Sequence, residues 1–247
     1  KIIIANWKCN PATQKEAKDI FSEIAKGVKK VKKAEAIICS PFVFLGNLIT
    51  KKQVVKIGGQ NCFYEQKGAF TGEISPVMLK NIGCSYVIIG HSERRKHFGE
   101  TDEMINKKIK AGLDAKLKII FCVGETKEQR DGDKAEIVVK NQIAGGLKNI
   151  GISKADEIII AYEPVWAIGT GNACSVEESQ KMRLFIIKAL SEVYTPKIAM
   201  EVKILYGGSV NSQNSAGYLT EAEFSGLLVG GASLNAEEFV KILKSAE

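Results

Sequence analysis

Eight runs of consecutive apolar, largely β-branched residues recur along this 247-residue chain: Ile2-Ile3-Ile4-Ala5, Glu35 to Cys39, Val54 to Gly58, Tyr86 to His91, Leu117 to Val123, Glu157-Ile158-Ile159-Ile160, Val202 to Tyr206 and Gly226 to Val229. A strand with one wet face alternates apolar and polar residues. Almost none of these do, so both faces of each strand are expected to be covered, which is the signature of a parallel sheet wrapped in helices.

The intervening segments carry helical signals. Ala17, Ile20, Ile24, Val28 and Val31 form one apolar stripe with lysines opposite. Ser40-Pro41 and Ser75-Pro76 read as helix starts, a cap followed by proline at the first position. Helices are expected over Thr101 to Leu113 and Asp133 to Leu147. Ser175 with Glu178 reads as a capping box for Val176 to Val193, and Asn235 with Glu238 caps the last helix. Strand and helix alternate throughout, and a chain of this length that is 45% hydrophobic suffices for one closed (β/α)8 TIM barrel spanning 1–247 as a single domain. An open doubly wound sheet is the competing arrangement. It lacks its dinucleotide fingerprint, since Gly169-Thr170-Gly171 is followed by Cys174 where a third glycine is required. No GxSxG elbow is present either, because Gly90-His91-Ser92 continues as Glu93-Arg94.

The formal charge of +7 raises the question of a nucleic-acid partner. The lysines are spread over most of the helices, and even the densest run, Lys26 to Lys33, has no interleaved aromatics, so a solvated face is expected and no nucleic-acid binding. No apolar run reaches the roughly 18 residues of a membrane span, and Lys1 to Ile4 is too short for a secretory core, so neither membrane insertion nor export is expected. Lys1 at the start suggests a missing initiator Met. Six scattered cysteines without a CxxC pair indicate neither zinc nor a disulfide framework and fit a reducing cytoplasm.

The candidate chemistry lies where strands end. Glu163 follows an apolar strand and precedes Pro164, so its carboxylate sits at the mouth of an apolar core, where desolvation is expected to push its pKa up toward that of a general base. Val165 to Ile168 are apolar residues in a loop closed by Gly169-Thr170-Gly171, a segment that gains by covering something. In a barrel the C-terminal strand ends share one face. Asn6 and Lys8, His91 and Glu93, Glu163, Gly207-Gly208-Ser209 and Gly230-Gly231 therefore converge. The two glycine pairs follow the last two strands, where bare backbone N–H groups can cradle a phosphate. A carboxylate base, an imidazole and an ammonium around such a cradle describe proton abstraction next to a carbonyl. Because Ser92 to Arg95 look like a helix start and Lys8 converges on the same pocket, His91 is expected to stay neutral; His97 reads as a surface residue.

Five ordered segments carry a resemblance: Ala5-Asn6-Trp7-Lys8, Gly90-His91-Ser92-Glu93-Arg94-Arg95, Ala161 to Gly171, Tyr206-Gly207-Gly208-Ser209-Val210 and Val229-Gly230-Gly231-Ala232-Ser233. Over its full length the chain resembles the triosephosphate isomerase family. The resemblance implies interconversion of dihydroxyacetone phosphate and glyceraldehyde 3-phosphate through an enediolate, without cofactor or metal, in glycolysis and gluconeogenesis. Glu163 would be the base and His91 the electrophile that shuttles protons, Lys8 and Asn6 would stabilise negative charge, and Glu93 would orient Lys8. Backbone N–H groups of Gly169, Ser209, Gly230 and Gly231 would hold the phosphate, under a lid of residues 164–174. The family's self-association implies a homodimer, with Gly68-Ala69-Phe70-Thr71-Gly72 as the protruding loop, Thr71 entering the partner near Asn6 and Lys8, and Cys9 facing that loop. The lid's C-terminal hinge, Asn172-Ala173-Cys174, departs from the family's common Lys-Thr-Ala type. Two other classes compete: a Schiff-base aldolase, which alone would be trapped with its substrate by borohydride, and a basic RNA-binding protein, whose affinity would fall steeply with salt.

Overall fold

The computed structural model describes residues 1–50, 54–169, 171 and 173–247. Eight parallel strands, β1 (Ile2–Asn6), β2 (Glu35–Cys39), β3 (Lys56–Gly59), β4 (Tyr86–Ile89), β5 (Lys118–Val123), β6 (Ile158–Tyr162), β7 (Lys203–Tyr206) and β8 (Gly226–Val229), pair in sequence order. The sheet closes because β1 pairs with both β2 and β8, Ile4 standing opposite Ile37 on one side and Leu228 on the other.

The absence of polar alternation in the strands has a direct structural reason. Ile2, Ile4, Ile37, Ile88, Ile120, Ile159, Ala161 and Leu205 fill the barrel interior, whereas their neighbours Ile3, Ala5, Ile38, Val87, Ile119 and Ile160 pack under the helices. This parity positions the site. Asn6 continues the inward series of Ile2 and Ile4, and Glu163 continues that of Ile159 and Ala161 past the strand's end.

Most sequence-derived boundaries agree within two residues, and helix Val176–Val193 agrees at both ends. The differences are local. Ser40 does not cap helix Phe42–Leu48: Pro41 takes the cap position without a side-chain bond, and the Ser40 hydroxyl donates to the Pro41 carbonyl. Val54 is exposed ahead of β3, and Val31 lies past the end of helix Gln14–Val28 while still packing on the core. Ser175 accepts from the Glu178 amide, but Glu178 turns its carboxylate to the Ser175 hydroxyl and Arg130.

Lysines 26, 29, 30, 32 and 33 are exposed, as expected of a solvated face. Lys108 is not: it is buried in helix Asp102–Asp114 and ion-paired with buried Glu100, with Asn61 as a further acceptor at 3.0 Å. Arg94 shares Glu100, and Arg95 donates to the Gly90 carbonyl at 3.0 Å and to Asp102. These bonds anchor the short helix Ser92–Phe98, whose N-cap residue is His91, the candidate imidazole. Removing one partner of such a buried pair would leave an uncompensated buried charge, so the two hold each other in place. No helix among the described residues is long and apolar enough to cross a membrane.

Candidate active site

Asn6, Lys8, His91 and Glu163 line one cavity of about 230 Å³ at the C-terminal mouth of the barrel, together with Ile168, Gly169, Gly171, Gly207, Gly208, Ser209, Val210, Leu228, Gly230, Gly231 and Ala232. Each strand tip delivers its group by a different local device. Lys8 is held at φ 54°, a left-handed conformation unfavourable for a side-chain-bearing residue, by its own amide donating to Asn6 Oδ1 at 3.1 Å and by Gln60 donating to its carbonyl. Its ammonium meets Glu93 Oε1 at 2.5 Å and stands beside Gly230, where an added Cβ would lie 3.5 Å from Lys8 Cε. Glu163 is fixed through its backbone, which donates to the Val123 carbonyl at 2.8 Å. Gly124 is the residue that permits this, since a Cβ there would sit 1.8 Å from the Glu163 carbonyl oxygen.

Glu163 and His91 are both buried, at 2% and 5% exposure, and face each other. His91 Nε2 lies 3.0 Å from Glu163 Oε1, while Oε2 accepts from the Ser92 amide at 3.1 Å. His91 Nδ1 accepts from the Glu93 amide at 3.2 Å, so the ring carries its proton on Nε2 and directs it at the carboxylate. This pairing reverses the pKa direction expected for each group. Burial favours the protonated form of Glu163, but His91, the Ser92 amide and Lys8 outweigh it and lower the carboxyl pKa below its ordinary value. Burial likewise opposes a charged imidazole, yet the Glu163 carboxylate beside it prevails and raises the His91 pKa. The base and the imidazole satisfy each other.

Glu163→Gln keeps the side chain's shape and removes its charge, leaving burial, Lys8 and the amide donated to Nδ1 to oppose a second ring proton. The His91 pKa is then expected to fall from above the ordinary histidine value to below it, read from ¹⁵N spectra in which exposed His97 supplies the only other histidine signals. An imidazole that still titrates above that value in the variant would assign its raised pKa to Glu93, whose Oε2 lies 3.7 Å from Nδ1.

The segment after Glu163 forms a 3-10 turn, Val165–Ala167, and covers Glu125. Trp166 Nε1 and the Tyr162 hydroxyl both donate to Glu125 Oε1, at 2.7 and 3.1 Å, and the Arg130 guanidinium lies 3.7 Å from the Trp166 ring centroid. Burial pushes the Glu125 carboxyl pKa up despite those two donors. Gly169 and Gly171 take φ of 70° and 77°, so the glycines are required there by conformation. Thr170 and hinge residue Asn172 lie outside the described residues. Sequence reasoning assigned no role to Ser92, Val210, Leu228 or Glu125. Ser92 was within reach of it, since the first amides of any helix lack intrahelical partners.

The profile of the family described as triosephosphate isomerase matches residues 1–246. The chain belongs to the triosephosphate isomerase family. A triosephosphate isomerase of Dictyoglomus turgidum is 45% identical, with 99% of each chain covered, and one of Chloroherpeton thalassium is 42% identical over 100% of this chain and 99% of that one. The crystal structure of the triosephosphate isomerase from Bartonella henselae superposes with a TM-score of 0.89 at 36% identity, covering 99% of this chain and 98% of that one. In this triosephosphate isomerase family member the interface candidates Cys9, Phe70 and Thr71 are exposed, and Phe70 also packs on Phe63 of its own chain, ring centroids 4.8 Å apart.

Proposed function

We propose that the chain, as a single 1–247 domain, interconverts dihydroxyacetone phosphate and D-glyceraldehyde 3-phosphate without a cofactor. The observation that carries the reading is the convergence of a buried carboxylate, an imidazole and an ammonium on one cavity walled by four glycines at the ends of β7 and β8. The phosphate lies against the backbone amides of Gly169, Ser209, Gly230 and Gly231, near the Lys8 ammonium. A substrate oxygen takes the Nε2–H of His91 from Glu163, and this exchange frees the base. Stripped of that partner in a dry site, the carboxylate becomes more basic and removes the proton from the carbon next to the carbonyl. Lys8 and Asn6 oppose the negative charge that grows on the enediolate oxygens, Glu93 holds Lys8 in place, and His91 moves protons between the two oxygens. A coupled assay of glyceraldehyde 3-phosphate isomerisation tests the reading; absence of turnover rejects it.

The reading extends to a homodimer in the cytoplasm. Val43, Phe70, Val77, Met78, Ile82 and Phe98 are exposed on the segments that follow β2, β3 and β4, neighbouring positions around the barrel, and a second copy of the chain would cover them. Six free cysteines suit a reducing compartment. Cys9 is the exposed one of the six. A bulky thiol reagent is therefore expected to react at Cys9, separate the subunits and abolish activity, because an interface packed like a core tolerates little added volume. Size-exclusion chromatography and activity against time check this, and Cys9→Ala resists. Equal inactivation of the variant would place the sensitive thiol elsewhere.

A further inference from the structure

The C-terminal end of the lid is held by two tyrosines from separate elements. The Cys174 amide donates to the Tyr206 hydroxyl at 3.2 Å, and the Cys174 carbonyl accepts from the Tyr218 hydroxyl at 2.6 Å. The two rings stack, with centroids 3.8 Å apart and planes 15° from parallel. Cys174, Tyr206 and Tyr218 are all buried. Both polar main-chain groups of one hinge residue are thereby fixed, where a single bond would leave the residue free to turn about it. The same assembly touches the phosphate cradle. Tyr206 ends β7 directly before Gly207, and its hydroxyl lies 2.4 Å from where a Cβ on Gly208 would be.

We propose that Tyr218, on the short helix Ser215–Thr220, is a positioning residue that couples the lid hinge to the phosphate cradle. Its hydroxyl fixes the Cys174 carbonyl, and its ring fixes the orientation of Tyr206 over Gly208. Hinge and cradle therefore reach their working geometry together. The inference rests on the isomerase reading of the cavity. It concerns a residue that is not among those lining the cavity.

Tyr218→Phe removes one hydroxyl and keeps the stacked ring, so the fold is retained while a buried carbonyl loses its donor. The expected result is a roughly 3- to 10-fold loss of kcat/KM, about what one buried hydrogen bond is worth. The fraction of turnovers ending in inorganic phosphate rises, and amide hydrogen exchange accelerates in the hinge peptide around Cys174 but not across the barrel strands. Unchanged kinetics and hinge exchange in Tyr218→Phe would overturn the proposal, as would an acceleration of exchange throughout the barrel, which would make the hydroxyl a general stabiliser. An unaltered chain that fails to isomerise triose phosphates would instead reject the functional reading.

Discussion

Replacing Glu163 with aspartate lowers kcat for triose phosphate isomerisation by roughly 100-fold or more, the scale set by withdrawing a base about 1 Å from its near-attack position. The shorter side chain keeps the charge, and the backbone that carries it is unaffected, because the Val123 carbonyl and the close approach of Gly124 fix it independently. What shortens is the reach toward the substrate carbon and toward His91. Stability changes by about 1 kcal/mol for a weakened buried hydrogen bond, a shift of about 2–4 °C in Tm for a chain of this size. Steady-state kinetics in both directions and a thermal melt followed by circular dichroism measure the two effects separately. Undiminished turnover in Glu163→Asp would remove Glu163 from the role of base.

Deleting residues from Ala167 to Gly171 converts an isomerase into an enzyme that destroys part of its own intermediate. An enediolate next to a phosphate ester can expel the phosphate. The electrons on oxygen return to form a carbonyl, the double bond shifts, the carbon–oxygen bond of the ester breaks, and the resulting enol rearranges to methylglyoxal. A closed, dry cavity whose amides hold the ester in place disfavours that path. The lid contributes Ile168, Gly169 and Gly171 to the cavity wall. Loss of the charge-assisted phosphate bond proposed for the Gly169 amide would cost about 1.5–3 kcal/mol, so kcat/KM is expected to fall roughly 10- to 100-fold. The barrel retains its fold, since its strands pair and fill their interior without the lid. Inorganic phosphate released per isomerisation is the deciding measurement. A trimmed enzyme that is slow but releases none would locate the protection in the cradle and not in the lid.

The comparison between sequence and structure divides by the range of the interaction involved. Ile2-Ile3-Ile4 and Ile158-Ile159-Ile160 announce buried strands because alternate side chains enter two different apolar layers, and the local pattern contains that fact. Ser75, Thr101, Ser175 and Asn235 announce helix starts because an N-cap bond spans three residues, as in the Ser75 hydroxyl accepting from the Met78 amide. Ser40 carried a similar signal, but its hydroxyl bonds to the Pro41 carbonyl, a competing local partner that a cap pattern does not distinguish. Nothing in the local sequence sets Lys108 apart from the other helix lysines. Only the fold reveals that Glu100 and Asn61 close around it.

Local periodicity was enough to imply the barrel, the face on which the candidate groups lie and which of them meet there, because strand parity and the shared direction of parallel strands follow from it. Glu163, His91, Lys8 and the glycines after β7 and β8 could be named on that basis. The charge relationships among them arise only from contacts between distant segments. The Ser92 amide and the Glu163 carboxylate meet across 71 positions, and the opposite pKa shifts of Glu163 and His91 depend on their 3.0 Å separation and shared burial. The Tyr206–Tyr218 hold on Cys174 is of the same kind, joining three elements whose local sequences contain no trace of the contact. Periodicity is a property of neighbours along the chain. Proton affinity and hinge geometry are set by neighbours in space, and these exist only once the barrel has closed.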